Sequence, residues 1–189
     1  KNVIRLLGDD VHDGDVILHN DPYLGATHSP DAAIVPPIFF DGELVGFAGA
    51  SAHLLDIGGA FPGLAVDLVD NWSEGNIYRA VKLSDRGVRQ EALWKHILEN
   101  TRTPTYNRGD VEAMIAACEL ARTRYLELLR RYGKDAVLDA ARGWIDYSER
   151  MSLWLDVMII LKTLPALWVQ CQDTRAKRKK AAPGRANLA

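Results

Sequence analysis

Cysteine is scarce: the 189 residues hold two, Cys118 and Cys171, whose number and spacing make neither a disulfide framework nor a zinc ribbon. Without disulfides to form, a reducing cytoplasm is the expected setting. An excess of one charge is missing too. Lys and Arg number 23 against 25 Asp and Glu, a formal net charge of −2, which excludes the basic field that nucleic-acid binding requires. No charged-then-apolar leader opens the chain, so export is not expected. Local motifs for a phosphate cradle, a nucleophile elbow or a Cys–His pair are absent. A clean apolar run of membrane-spanning length is lacking as well. Met151 to Cys171 comes nearest, but Asp156, Lys162 and Pro165 interrupt it, which leaves it marginal as a span.

What is present is ordinary globular composition, 48% apolar and 25% charged, enough for one domain or a domain with an appendage. The pattern is α+β. Residues 1–88 read as β- and loop-rich, with a short buried strand at Val16-Ile17-Leu18, turn signals at Asp13-Gly14 and Asn20-Asp21-Pro22, and a strand-compatible stretch from Tyr78 to Leu83. Packed helices take over across residues 89–150. The first runs from Gln90 to Glu99, with Leu93, Trp94, Ile97 and Leu98 on one face and His96 toward solvent. After a linker through Arg108, Asp110 is expected to cap a long helix that ends near Tyr132-Gly133. Its inner stripe of Val111, Met114, Ile115, Cys118, Tyr125, Leu128, Leu129 and Tyr132 makes Cys118 core and not a nucleophile. A third helix covers about Asp135 to Arg150.

The chemistry concentrates at Thr27-His28-Ser29-Pro30-Asp31 and at His53. Between them, Asp41-Gly42 flanked by apolar runs is a strong hairpin signal joining strands over 32–40 and 44–52. With Phe40 facing Glu43, paired positions sum to 83 and His53 falls opposite Pro30, midway between His28 and Asp31. Pro36 and Pro37 remove ladder donors and admit a bulge, so a slip of a residue or two is tolerable. Two imidazoles and one carboxylate converging there would bind a divalent ion such as zinc, iron(II) or manganese and leave coordination positions open, as catalysis needs. The plain alternative is that His28 caps a turn, Asp31 accepts from local amides and His53 is a strand histidine.

Further polar residues flank this trio. Asn20 and Asp21 either line the same cleft, Asp21 accepting from a ligand histidine's free N–H, or form an Asx turn before Pro22. Asp56, before Ile57-Gly58-Gly59, reads as a fourth ligand, as a base toward water at the site, or as a turn aspartate. Glu74, at the end of the loop-like stretch from Phe61 to Asn76, either belongs to the site or accepts amides of its own turn. Asp21 and Asp56 are thus the catalytic candidates, Asn20 and Glu74 the substrate-binding ones.

The run Gly14-Asp15-Val16-Ile17-Leu18-His19-Asn20-Asp21-Pro22-Tyr23, then Thr27-His28 and Pro30-Asp31, resembles the hydantoinase B/oxoprolinase family, which includes a subunit of the acetone carboxylases. Ala52-His53, Asp56-Ile57-Gly58-Gly59, Pro62-Gly63, Glu74-Gly75, Asn100-Thr101-Arg102-Thr103-Pro104 and Gly109-Asp110-Val111-Glu112-Ala113 continue the likeness in order, over about residues 8–150. The resemblance implies a divalent metal, manganese in the carboxylases, at His28, Asp31 and His53. It implies a small cyclic amide such as a hydantoin or 5-oxoproline as substrate, or a ketone in the carboxylase branch. It also implies a hydantoinase A-like partner subunit that uses ATP. A further acidic ligand of the family lies upstream of the Thr-His-x-Pro-Asp block. Beginning at Lys1, the chain reads as an internal piece of a longer protein.

Residues 151–189 depart from that pattern and read as an apolar helix with a disordered basic tail. Ser152 to Ala166 has a short resemblance to the C-terminal end of bacterial polyprenyl-phosphate sugar-phosphate transferases. Arg175, Lys177, Arg178, Lys179, Lys180 and Arg185 would give this end a weak attraction to an anionic membrane surface. Two functional readings follow. One is a metal-dependent subunit of a cyclic amide hydrolase or ketone carboxylase. The other is a non-enzymatic truncated or fused remnant.

Overall fold

The computed structural model describes residues 2–63 and 68–149, so the expected apolar helix and basic tail lie outside the described residues. The chain divides after Lys134 into two compact units, and the first holds all the strands among the described residues. The class is α+β, with antiparallel sheets first and helices after them.

A short helix, α1 (Asn2–Leu7), precedes β1 (Val16–His19). All four residues of β1 are buried, because both faces of the strand are covered. Leu18 and Val16 join the main core, while Ile17 packs with Val3 of α1, Ala80 and the half-buried Val35. β2 (Asp31–Ile34) and β3 (Pro37–Phe40) follow, then β4 (Glu43–Phe47), β5 (Ala50–His53), β6 (Val81–Asp85) and β7 (Val88–Arg89). One antiparallel sheet has the order β5-β2-β1-β6-β7, and β3 pairs with β4 in a separate two-stranded ribbon.

The Asp41-Gly42 turn forms as expected, both residues having positive φ (51° and 81°), the geometry of the turn whose twist matches its strands. Two expectations are corrected. The two long hairpin strands are each split, at Val35-Pro36 and at Ala48-Gly49, because Pro36 has no amide to give the ladder. Val35 donates instead to the Ile17 carbonyl, and Ala48 to that of Pro36. The register also slips by one. Phe39 faces Leu44 but Ile38 faces Gly46, so Val45 is an extra residue on β4, a bulge. Paired positions beyond it sum to 84, and His53 lies opposite Asp31 instead of Pro30.

Three helices follow the strands: α2 (Glu91–Glu99), α3 (Pro104–Tyr132) and α4 (Lys134–Glu149). Trp94, Ile97 and Leu98 of α2 and Val111, Met114 and Cys118 of α3 pack against Leu18, Ala32, Ile34 and Leu83 of the sheet. Cys118 is 1% exposed, and burial pushes its thiol above the ordinary value. α3 starts six residues before Asp110, the expected cap. Pro104 stands in its first turn, where a missing amide costs nothing, and the buried Asn107 donates its side-chain amide to the Asp56 carbonyl. Near the end of α3 Leu129 is buried, while Leu128 and Tyr132 are exposed although they continue the apolar stripe.

Ile34→Ala, at a fully buried position, is expected to lower the unfolding free energy by about 2–5 kcal/mol. Leu44→Ala on the exposed ribbon should cost within about 0.5 kcal/mol. Urea unfolding of both variants checks this; equal losses would mean that the ribbon is as much core as the sheet.

Candidate metal centre

Residues opposite one another across an antiparallel pair point to the same face, so the pairing of Asp31 with His53 puts their side chains side by side. Ala32, Ile34, Ala50 and Ala52 alternate with them and face the helical core, which places the acid and the imidazole on the opposite face. His28 reaches the same point from the turn before β2, where the Asp31 amide donates to the His28 carbonyl.

The three ligand atoms form a small triangle. His28 Nε2 lies 2.9 Å from Asp31 Oδ1, His53 Nδ1 lies 3.2 Å from the same oxygen, and the two ring nitrogens are 3.3 Å apart. The rings are stacked with centroids 5.1 Å apart. Donors at about 2.0–2.2 Å from an ion stand roughly 3.0 Å apart at right angles and roughly 3.4 Å apart at tetrahedral angles, so this triangle fits one face of either polyhedron. Without a cation the arrangement is awkward, because two rings that both turn an N–H toward one oxygen also bring those hydrogens together. Two imidazoles and a carboxylate on one face suit zinc, iron(II) or manganese. His53 is 40% exposed and β5 is an edge strand among the described residues, so one side of the triangle is open.

The other predicted residues do not join the triangle. Asn20 is fully buried; its amide donates to the carbonyls of Ser29 (2.7 Å) and Asn76 (2.9 Å) and its oxygen accepts from the Tyr78 amide. Glu74 accepts from the Ser29 amide at 2.9 Å. Asp21 accepts from the Tyr23 amide, as an Asx turn does, and its second oxygen pairs with Arg79. Asp56 accepts from the amides of Gly58 and Arg102 and pairs with the Arg102 guanidinium at 3.1 Å. Burial acts to raise both carboxyls, but the amide bonds and the arginine beside each outweigh it and hold both below the usual carboxylate range.

A second cluster, His12, Asp15 and Asp85, also has ligand atoms close enough to share an ion. Lys82 already fills that centre, its ammonium 3.1 Å from Asp15, 3.2 Å from Asp85 and 2.8 Å from Asp10. The first trio has no such internal cation among the described residues.

The family model for hydantoinase B/oxoprolinase matches residues 1–162. The chain belongs to this family. Among hydantoinase B relatives, it is 43% identical over 80% of its length to a protein of Pseudomonas sp. (strain NS671) provisionally named as a subunit of a D-/L-hydantoinase, of which it covers 26%. To the beta chain of the caprolactamase of Pseudomonas jessenii it is 39% identical over 79% of its length, covering 26% of that chain. The crystal structure of the ATP-dependent caprolactamase from that organism superimposes with a TM-score of 0.67 at 38% identity, over 71% of this chain and 24% of that one. The chain therefore spans about a quarter of the length of these relatives.

Within this hydantoinase B domain, three groups escape sequence reasoning. Ser29 is completely buried, its hydroxyl donating to Asn71 at 2.6 Å. His19 is 5% exposed, with Nε2 3.1 Å from the Leu24 carbonyl and Nδ1 without a hydrogen-bond partner among the described residues. The only signal for His19 is its place in the buried β1. Nothing in the spacing marks Ser29 or Asn71, because their bond joins segments more than 40 residues apart.

The depressed Asp56 carboxyl stabilises the folded state above the ordinary carboxylate pKa, about 3.9, and that contribution is lost as pH falls through the lower folded value. Asp56→Asn is expected to lower stability at pH 7, with the gap to the parent narrowing below about pH 4. Urea midpoints between about pH 7 and about pH 2.5 measure it; a constant gap would mean that the Asp56 charge is not what the Arg102 contacts hold.

Proposed function

We propose that this chain forms part of the metal-dependent subunit of an ATP-dependent amide hydrolase acting on small cyclic amides of the hydantoin or 5-oxoproline kind, with His28, Asp31 and His53 holding a divalent ion. The convergence of these three residues, inside a domain of this family, carries the reading. An ion held there supplies Lewis acidity toward a carbonyl oxygen.

The chain's own part is to present and steady that site. Asp31 sits between the two imidazoles and orients both rings, while its neighbours in β2 anchor the strand in the core. The exposed flank of His53 gives the substrate a direction of approach. Asp21 and Asp56, each engaged by an arginine and by backbone amides, act on the reaction by fixing the loops around the trio. Asn20 and Glu74 act by holding the turn that carries His28. ATP enters through a partner of the hydantoinase A kind, in keeping with relatives that are each named as one component of a larger enzyme and a solved one titled ATP-dependent. The ketone carboxylase branch is the second reading. It is supported by the nucleotide-free acetone carboxylase structure, which superimposes with a TM-score of 0.67 at 26% identity over 72% of this chain, but the amide branch is favoured by identities of 43% and 39%.

Metal analysis of the purified chain tests the core of this. About one equivalent of divalent ion is expected after loading with Mn²⁺ or Zn²⁺, and His53→Ala should lose most of it with unfolding unchanged, since His53 is on an exposed edge. Assay of ATP-dependent opening of hydantoin, 5-oxoproline and caprolactam rings by the complex with its partner tests the substrate class. Equal metal in parent and variant would overturn the site, and turnover of ketones alone would move the protein to the carboxylase branch.

A further inference from the structure

The trio's ligands come from two stretches of chain, and one loop is bonded to both. On one side, every polar group of Ser29, the residue after His28, is tied. Its amide donates to Glu74 Oε2 at 2.9 Å, its hydroxyl to Asn71 Oδ1 at 2.6 Å, and its carbonyl accepts from Asn20 at 2.7 Å. On the other side, the segment just after His53 locks into the same loop. Gly58 and Gly75 form an isolated antiparallel bridge, Ala60 donates to the Ser73 carbonyl, and Asn76 donates to that of Ile57. The approach is so close that a Cβ on Gly59 would run into the Glu74 carbonyl, and one on Gly75 would lie 2.7 Å from Ile57. That lock is held from behind by Asp56, through its bonds to Arg102 and Gly58.

We infer that Glu74 is a positioning residue: its carboxylate, fixed by the glycine lock, sets the Ser29 amide and so holds His28 at bonding distance from Asp31 and His53. Glu74 neither ligates the ion nor touches substrate in this role, which rests on the metal reading above. A single loop, 71–76, thereby fixes the spacing between the two halves of the trio.

His28 and Asp31 flank a turn, and a turn in solvent exchanges among several backbone states. Three bonds on one buried residue between them remove that freedom. The Glu74 oxygen is an ionised acceptor for a backbone amide, a bond stronger than a neutral one, yet Gln keeps an acceptor oxygen in the same place and Ala does not.

Co²⁺ binding to the full chain, followed by its visible absorption and by calorimetry, tests this together with amide exchange at Ser29. Glu74→Ala is expected to weaken Co²⁺ binding by about 10–100-fold, the range for residues that orient metal ligands, to change the absorption band, and to expose the Ser29 amide to exchange. Glu74→Gln should restore affinity, band and protection close to the parent's. A Gln variant as weak as the Ala variant overturns the inference in favour of Glu74 as a ligand. Unchanged Ser29 protection in Glu74→Ala overturns it outright, as does unchanged Co²⁺ affinity. If the parent binds no Co²⁺, the metal reading falls, and loss of Ser29 protection in the Ala variant alone, rescued by Gln, still supports the clamp.

Discussion

Two segments far apart in sequence, the turn before β2 and residues 76–78, meet on the side chain of Asn20. Its amide group bonds the Ser29 carbonyl before β2, the Asn76 carbonyl at the end of the long loop and the Tyr78 amide just before β6. Asn20 is entirely buried, and in that setting a lost partner would leave a desolvated polar group at a cost of about 1–3 kcal/mol. The turn that carries His28 therefore depends on a neutral, fully buried amide. Its position follows directly from β1, which is buried on both faces and leads the chain straight into this residue.

Around that joint the loops are pinned by buried carboxylates, each matched to a cation: Asp21 with Arg79, Asp56 with Arg102, Asp15 with Lys82. Such a pair is weak testimony for stability as such, because the acid is desolvated while the exposed arginines Arg79 and Arg102 leave much of the attraction screened by solvent. It is directional, though, and each of these acids also accepts backbone amides, so the pairs specify where a loop lies more than how firmly the whole domain folds. The trio differs in kind. Asp31 lies among imidazoles with no arginine or lysine partner among the described residues, and it stays part-exposed.

Much of this is legible in the sequence. A short apolar run between turn signals locates β1, and turn chemistry locates the Asp41-Gly42 hairpin and the pairing that joins His28, Asp31 and His53, because a side-chain period of two and a two-residue turn leave few registers open. The one-residue slip in register lies within what Pro36 and Pro37 allow, but its place, at Val45 on the facing strand, is one that no residue type announces. The start of α3 is hidden because Pro104, Asn107 and Gly109 all score poorly as helix, whereas Pro suits a first turn and Asn107 has a tertiary bond to Asp56. Glu74 and Asn20 are recognisable as belonging near the site, but what they bond is not readable. Contacts across 45 and 56 residues depend on a topology that periodicity does not encode.

The bulge at Val45 has a consequence for how this domain tolerates change. In a pleated strand the side a residue faces is a matter of odd or even count; from the Asp41-Gly42 turn the path to His53 is one residue longer than the path to Asp31, and Val45, left outside the ladder, absorbs that residue so that the two still pair. Deleting Val45 would leave His53 opposite Asp31, whereas deleting a paired residue of β4 with the bulge kept and pairing carried through β5 would turn His53 toward the helices and bring Leu54 opposite Asp31. Insertions or deletions in pairs would preserve the facing. Length variation of one residue between Phe40 and His53 in working homologues should accordingly fall at the Val45 bulge or at the Ala48-Gly49 break, not within the paired positions.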